Sequence, residues 1–170
     1  MNKIFKKKTD TLLIILFFFR NMLLLQTYKK PTTLQLKIMK KNRTKLRVRY
    51  GETDQMGVVY YGAYAEYLEQ GRTEWLRELG FSYKWMEENN ILLPVTQLHI
   101  NYKLPARYDD VITITTELRK LPSVKIEFDY QIHNEENALL VTANTTLVFV
   151  DATTRKLRKA PDYLLEKLSS

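Results

Sequence analysis

RYGETDQMGVVYYGAYAEYLEQGRTEWLRELG, residues 49–80, decides the fold of this chain. Its first third is polar and the remainder is amphipathic. Tyr64, Tyr67, Leu68, Gly71, Trp75 and Leu79 recur at three- and four-residue spacing, which predicts a long helix over Tyr61–Leu79 with one apolar face. Gly80 is its stop signal. Gly71 lies inside the apolar stripe, where glycine weakens a helix relative to alanine, and its simplest reading is room for close packing against a sheet. Ahead of the helix, GETDQMG carries two glycines and reads as a turn, and in it stands Asp54. An acid there is either helix-start chemistry favoured by the helix dipole or a carboxylate aimed at something bound at the helix N-terminus. Spacing alone favours the first reading.

Working outward, RTKLRVRY places Arg43, Lys45, Arg47 and Arg49 in alternation with Thr44, Leu46, Val48 and Tyr50, the period of a half-buried strand. After the helix a short second one is expected around Ser82–Glu88, with Pro94 ending the connection. Four strand-like runs follow: Val95–Leu104, Val111–Leu118, Val124–Ile132 and Leu139–Val150. Each has one apolar face, as in Leu98, Ile100 and Tyr102, or Val124, Ile126, Phe128, Tyr130 and Ile132. The links LPARYDD, RKLPS and HNEENA are short and turn-rich, which implies antiparallel hairpins. Asp109 and Asp110 shape the first of them. Pro161–Leu168 reads as a terminal helix with proline in its first turn. Strand, long helix and four more strands predict an α+β domain in which the sheet curls around the helix. One helix cannot cover a sheet of this size and its edges, so self-association is expected to protect an edge strand.

Composition narrows the chemistry. The chain has no cysteine, which excludes disulfides, thiolate nucleophiles and cysteine-ligated metals. Its two histidines, His99 and His133, stand apart, so no metal and no cofactor are expected. The formal charge of +8 is uneven: residues 1–40 hold nine Lys or Arg and one acid, Asp10, and the remainder carries eighteen of each sign. The folded part is neutral, so nucleic-acid binding is not expected.

Residues 1–40 are read as an N-terminal extension and residues 41–170 as the domain. The extension has lysines and the apolar run Leu12–Phe19, but lacks a small-residue cleavage site, and the run is short for a membrane span. Val, Ala, Glu and Gly, common later, do not occur in it. That bias is the one of translated AT-rich non-coding sequence, and Met39 is expected to be the biological start. The alternative is a disordered or membrane-associated extension; membrane association of the domain itself is not expected.

The long motif YGETDQMGVVYYGAYAEYLEQGRTEWLRELG, followed by PV, YKLPARYDD and a strand ending LVFVDATTRKLRKAP, resembles the hotdog-fold 4-hydroxybenzoyl-CoA thioesterase-like family. Within it, the likeness is to the acyl-CoA thioesterases associated with the Tol-Pal system, and it runs from Lys45 to Leu168. The resemblance implies a five-stranded antiparallel sheet wrapped around one long central helix, assembled as a homodimer or homotetramer with the active site between protomers. It implies a cytoplasmic enzyme, without cofactor, that hydrolyses an acyl-CoA to free acid and CoA. The catalytic carboxylate falls on Asp54, and the backbone N–H that polarises the thioester carbonyl falls on Tyr61. Gly57, Val59, Tyr60 and Tyr64 are the expected substrate-binding residues. Some relatives carry histidine at the place of Tyr61, and many carry Asp where Glu52 stands; no chemistry is assigned to Glu52.

Other residues have blander readings. Glu69, Arg72 and Glu74 are expected to form an ion-paired set on the helix. Lys103, Arg107, Arg119, Lys120 and Lys125 are candidates for the phosphates of CoA, each also readable as a solvated charge. His99 would matter for a hotdog dehydratase. A non-catalytic acyl-binding or interaction protein and an acyl carrier protein thioesterase are the remaining alternatives.

Overall fold

The computed structural model describes residues 41–169, and the expected N-terminal extension lies outside them. Strand β1 (Lys41–Arg47) leads through a 3-10 turn (Tyr50–Glu52) to helix α1 (Ala63–Glu78) and helix α2 (Tyr83–Glu88). Strands β2 (Ile91–Leu92), β3 (Val95–Tyr102), β4 (Val111–Leu118), β5 (Lys125–His133), β6 (Leu139–Val148) and β7 (Val150–Asp151) follow, and helix α3 (Asp162–Ser169) closes the described chain. Five strands form one sheet in the order β1-β4-β5-β6-β3, with every neighbouring pair antiparallel. The architecture is α+β, with β1 and β3 as the sheet's edges.

Alternation decides which face is core. Ile112, Ile114, Thr116 and Leu118 of β4 and Ile126, Phe128, Tyr130 and Ile132 of β5 are buried in turn. Helix α1 lies on that face. A Cβ added to Gly71 would stand 2.7 Å from Thr116 Oγ1 and 2.9 Å from Ile114 Cγ2, so the glycine is what lets the helix sit this close. Trp75 meets Phe128 of β5 edge-on with ring centroids 5.0 Å apart, and Tyr64 meets Tyr102 of β3 at 5.4 Å. The helix ends in a Schellman motif: Gly80, with φ of +90°, gives its N–H to Arg77 and the buried Phe81 gives its N–H to Leu76.

Some element ends differ from the sequence expectation. Helix α1 begins at Ala63 rather than Tyr61, because the Tyr60 carbonyl accepts the Ala63 N–H and holds Tyr61 and Gly62 in a turn. Strand β1 stops at Arg47, since the Val48 carbonyl accepts from the Asp109 N–H while the Asp110 N–H goes to Arg107, which breaks the ladder, and Tyr50 enters the 3-10 turn. In the run Leu139–Val150 the Phe149 N–H still bonds Val124 in register with the β5–β6 ladder, and Val150 then leaves that sheet to pair with Leu92 in a second, two-stranded one. Strands β2 and β7 are two residues each, too short to show any period. Among the described residues no helix is long and apolar enough to cross a membrane.

Candidate active site

The polar turn before α1 is a miniature hairpin built around Asp54. Its N–H donates to the Val58 carbonyl at 2.9 Å, its own carbonyl accepts from Gly57 N–H at 2.9 Å, and its Oδ1 accepts from Met56 N–H at 2.8 Å. Thr53 bridges Val59 across the base. Gly57 closes the hairpin in the left-handed region, with φ of +72°. Two further bonds seat the hairpin: Val59 N–H donates to Ala106 in the link between β3 and β4, and Tyr60 N–H donates to the Glu52 carbonyl at 2.8 Å. The Tyr61 N–H, one residue ahead of the helix N-cap Gly62, has no acceptor among the described residues. It is a turn donor lying just outside α1, at the end of the helix where the dipole is positive.

These residues surround two hollows. The first, about 310 Å³, brings Asp54, Val59, Tyr61 and Tyr64 together with Met56, Tyr102, Lys103 and Leu104. The second, about 450 Å³, lies against Glu52, Asp54, Tyr60, Gly62 and Glu66. Asp54 borders both. Four of the six expected site residues therefore share one apolar pocket, Tyr60 faces the neighbouring hollow, and Gly57 lines neither but shapes the turn.

Three tyrosine hydroxyls fasten this region, two to backbone and one to a carboxylate. Tyr102 Oη donates to the Tyr61 carbonyl at 3.0 Å, Tyr64 Oη accepts from Ala106 N–H at 3.4 Å, and Tyr67 Oη donates to Glu52 Oε2 at 2.8 Å. Burial is the main cause that pushes all three phenols above their ordinary pKa, so each stays protonated at neutral pH. Sequence reasoning placed Tyr102 only on a strand's apolar face and gave Glu52 no task. The one available signal was a polar-tipped aromatic at the end of an edge strand.

The remaining candidates separate. Of the five cations proposed for CoA phosphates, Lys103 lines the pocket. Arg119 pairs with Asp129 and Lys120 with Glu127, at the end of β4 remote from Val111, and Lys125 starts β5 at that same end. Arg107 lies in the loop beside Asp110, whose carboxylate accepts its N–H at 2.7 Å. His99 stands opposite Asn144, three residues from Tyr102 and therefore on the other face of β3. That position does not suit a dehydratase partner for Asp54. His133 ends β5. The expected triad on the helix divides: Glu69 pairs with Arg72 at 3.0 Å, while Glu74 pairs with Arg77. Arg72 is buried and also donates to Tyr83 Oη at 3.1 Å.

Residues 48–168 match the model of a family described as the thioesterase-like superfamily. The chain is similar to the acyl-CoA thioester hydrolase YbgC of Escherichia coli O6:H1, with 36% identity over 119 residues, 70% of this chain and 89% of the relative. It is also similar to the long-chain acyl-CoA thioesterase FadM of Escherichia coli K12, with 33% identity over 127 residues, 74% of this chain and 96% of the relative. Among solved structures, a DHNA-CoA thioesterase from Staphylococcus aureus superposes with a TM-score of 0.70 at 35% identity, over 74% of this chain and 85% of that one.

Proposed function

The chain belongs to the thioesterase-like superfamily, and on that premise we propose that it hydrolyses an acyl-CoA thioester to the free acid and CoA, with Asp54 as nucleophile or general base and the Tyr61 N–H as oxyanion donor. The observation that carries this reading is that Asp54 and Tyr61 line one pocket of about 310 Å³ whose other walls include Val59, Tyr64 and Leu104. A carboxylate, a free backbone donor and an apolar wall are what a thioester carbonyl with an acyl tail requires.

The chemistry follows from where charge moves. Attack on the thioester carbon puts negative charge on the carbonyl oxygen, and a free N–H at a helix start stabilises it as it forms. One such donor is commonly worth about a hundred- to a thousand-fold in rate. Asp54 either attacks directly, expelling the CoA thiolate and leaving a mixed anhydride that water cleaves, or takes a proton from the water that attacks. On both routes the products are the acid and the protonated thiol of CoA. The side chain of Tyr61 has no part in these steps, so tyrosine in place of the histidine of some relatives leaves the donor intact. Lys103, at the pocket, is the cation we assign to the phosphates of CoA.

We further propose that the working unit is at least a dimer joined along β3. Val95, Leu98 and Tyr102 of this edge strand are 43%, 41% and 50% exposed, and Tyr102 also lines the pocket. A second copy on this edge covers unpaired backbone and closes the pocket at once.

The test is thiol release from short, long and aromatic acyl-CoAs by the wild type and Asp54→Asn in parallel. Turnover of one chain class by the wild type, reduced about a hundred-fold or more in the variant, is expected. Equal rates in both proteins, or no turnover of any substrate, overturn the reading.

A further inference from the structure

Glu52 reaches three parts of the site. Its Oε2 accepts from the Arg49 N–H at 2.7 Å, ahead of the turn, and from Tyr67 Oη at 2.8 Å, on the body of α1. Its carbonyl accepts the Tyr60 N–H at 2.8 Å, one residue before the proposed oxyanion donor. The Glu52 side chain is 15% exposed and Tyr67 is 3% exposed, so the bond between them is shielded from water on the phenol side. A carboxylate that accepts from a phenol forms one of the stronger classes of hydrogen bond. Tyr67 lines neither hollow.

From this geometry we infer that Glu52 and Tyr67 are positioning residues: their carboxylate–phenol bond tethers the Asp54 turn to the body of α1 and places Asp54 and the Tyr61 N–H, as one unit, against the pocket wall that the helix supplies through Tyr64. The inference rests on the hydrolytic reading above and gives Glu52 a task in it. Asp54 lies two residues after Glu52, and Tyr61 directly follows the residue that Glu52 holds by its carbonyl. A shift of Glu52 therefore moves the carboxylate and the donor together, and the tether sets where the helix start meets the turn. Misplacement by about 1 Å at a reacting centre costs on the order of a hundred-fold in rate. Loss of the tether loosens the turn without removing any group that touches substrate.

The experiment uses the full chain with Tyr67→Phe, Asp54→Asn and the double variant, assayed well below the melting temperature of each. Tyr67→Phe keeps the ring in place and removes only the hydroxyl. Its kcat is expected to fall about tenfold with KM within about twofold, the split of an interaction felt in the transition state. In the Asp54→Asn background the same change is expected to alter the remaining rate by less than about twofold, because the carboxylate that the tether places against the substrate is gone. A second readout needs no turnover: amide hydrogen exchange at Met56, Gly57 and Tyr60 speeds up about tenfold or more in Tyr67→Phe while amides of β5 do not change. Wild-type kcat in Tyr67→Phe, an equal loss in both backgrounds, or unchanged exchange in the turn overturns the tether. If Asp54→Asn is impaired and Tyr67→Phe is not, the hydrolytic reading stands without it. If Asp54→Asn equals the wild type, that reading fails, and exchange alone still decides whether Tyr67 holds the turn.

Discussion

Gly57 shows how much of the site hangs on one backbone angle. Its φ is +72°, yet nothing lies within 4 Å of the place a Cβ would take, so the demand for glycine is conformational and not steric. Gly57→Ala is expected to destabilise by about 1–2 kcal/mol, the ordinary penalty of a left-handed residue with a Cβ, and Gly57→Asn by less. Because the N–H groups of Met56 and Gly57 both end on Asp54, the loss falls on the turn. Thermal melts with thiol-release assays check this: kcat should drop more in the alanine variant than in the asparagine one, and equal behaviour of both would remove the angle as the cause. At this scale the sequence was readable where residues lie close along the chain. Asp54, Val59, Tyr61 and Tyr64 come from one contiguous motif and meet in one pocket. Tyr102 reaches Tyr61 from forty-one residues away, and no local period announces such a bond. Glu52 and Tyr67 are fifteen residues apart, and their bond depends on how the turn folds back onto the helix.

Helix α1 works as an element because its apolar stripe fits the sheet at one tight point. Gly71→Ala would normally strengthen an exposed helix by about 1 kcal/mol. Here the new methyl meets Thr116 Oγ1 and Ile114 Cγ2 at less than 3.0 Å, and Thr116 and Ile114 belong to a β-strand that cannot easily retreat. The net effect is expected to be destabilising, by about 1–2 kcal/mol, since overpacking outweighs helix propensity. Chemical denaturation measures it, and a stabilised Gly71→Ala protein would show that the helix and β4 have slack. The stripe was legible because a helix of sixteen residues repeats its period several times. Its first turn was not, since Tyr61 and Gly62 continue the amphipathic pattern while their backbone is held in a turn by the bond from Ala63 to Tyr60. The long strands β4 and β5 matched the alternation of apolar residues; β2 and β7 exist only through a partner distant in the chain.

For the whole molecule, the sheet order leaves β3 at an edge beside the pocket. Analytical ultracentrifugation should find the chain at twice its mass or more. Leu98→Lys, at a position 41% exposed in the monomer, should weaken association about tenfold or more and lower turnover with it. A monomeric wild type with full activity would sink the β3 dimer. The edge itself follows from the order of strands in space, which short hairpin links constrain but do not fix. Hairpins place β4, β5 and β6 side by side; LPARYDD, expected to close a hairpin, instead carries the chain across the sheet, so that β3 pairs with β6 and β1 with β4, and these two strands end at opposite margins.

The tyrosines bear on any attempt to remodel what the pocket accepts. Tyr64 and Tyr102 are at once its walls and the struts that hold Ala106 and Tyr61 in place. Trimming either to make room for a bulkier guest removes scaffolding with the volume, so a redesign aimed at them trades fit against rigidity. Met56 and Leu104 line the same space with side chains that brace nothing by hydrogen bonding, and they are 77% and 49% exposed. A library meant to retune this cavity should be written at those two positions and leave the phenols alone.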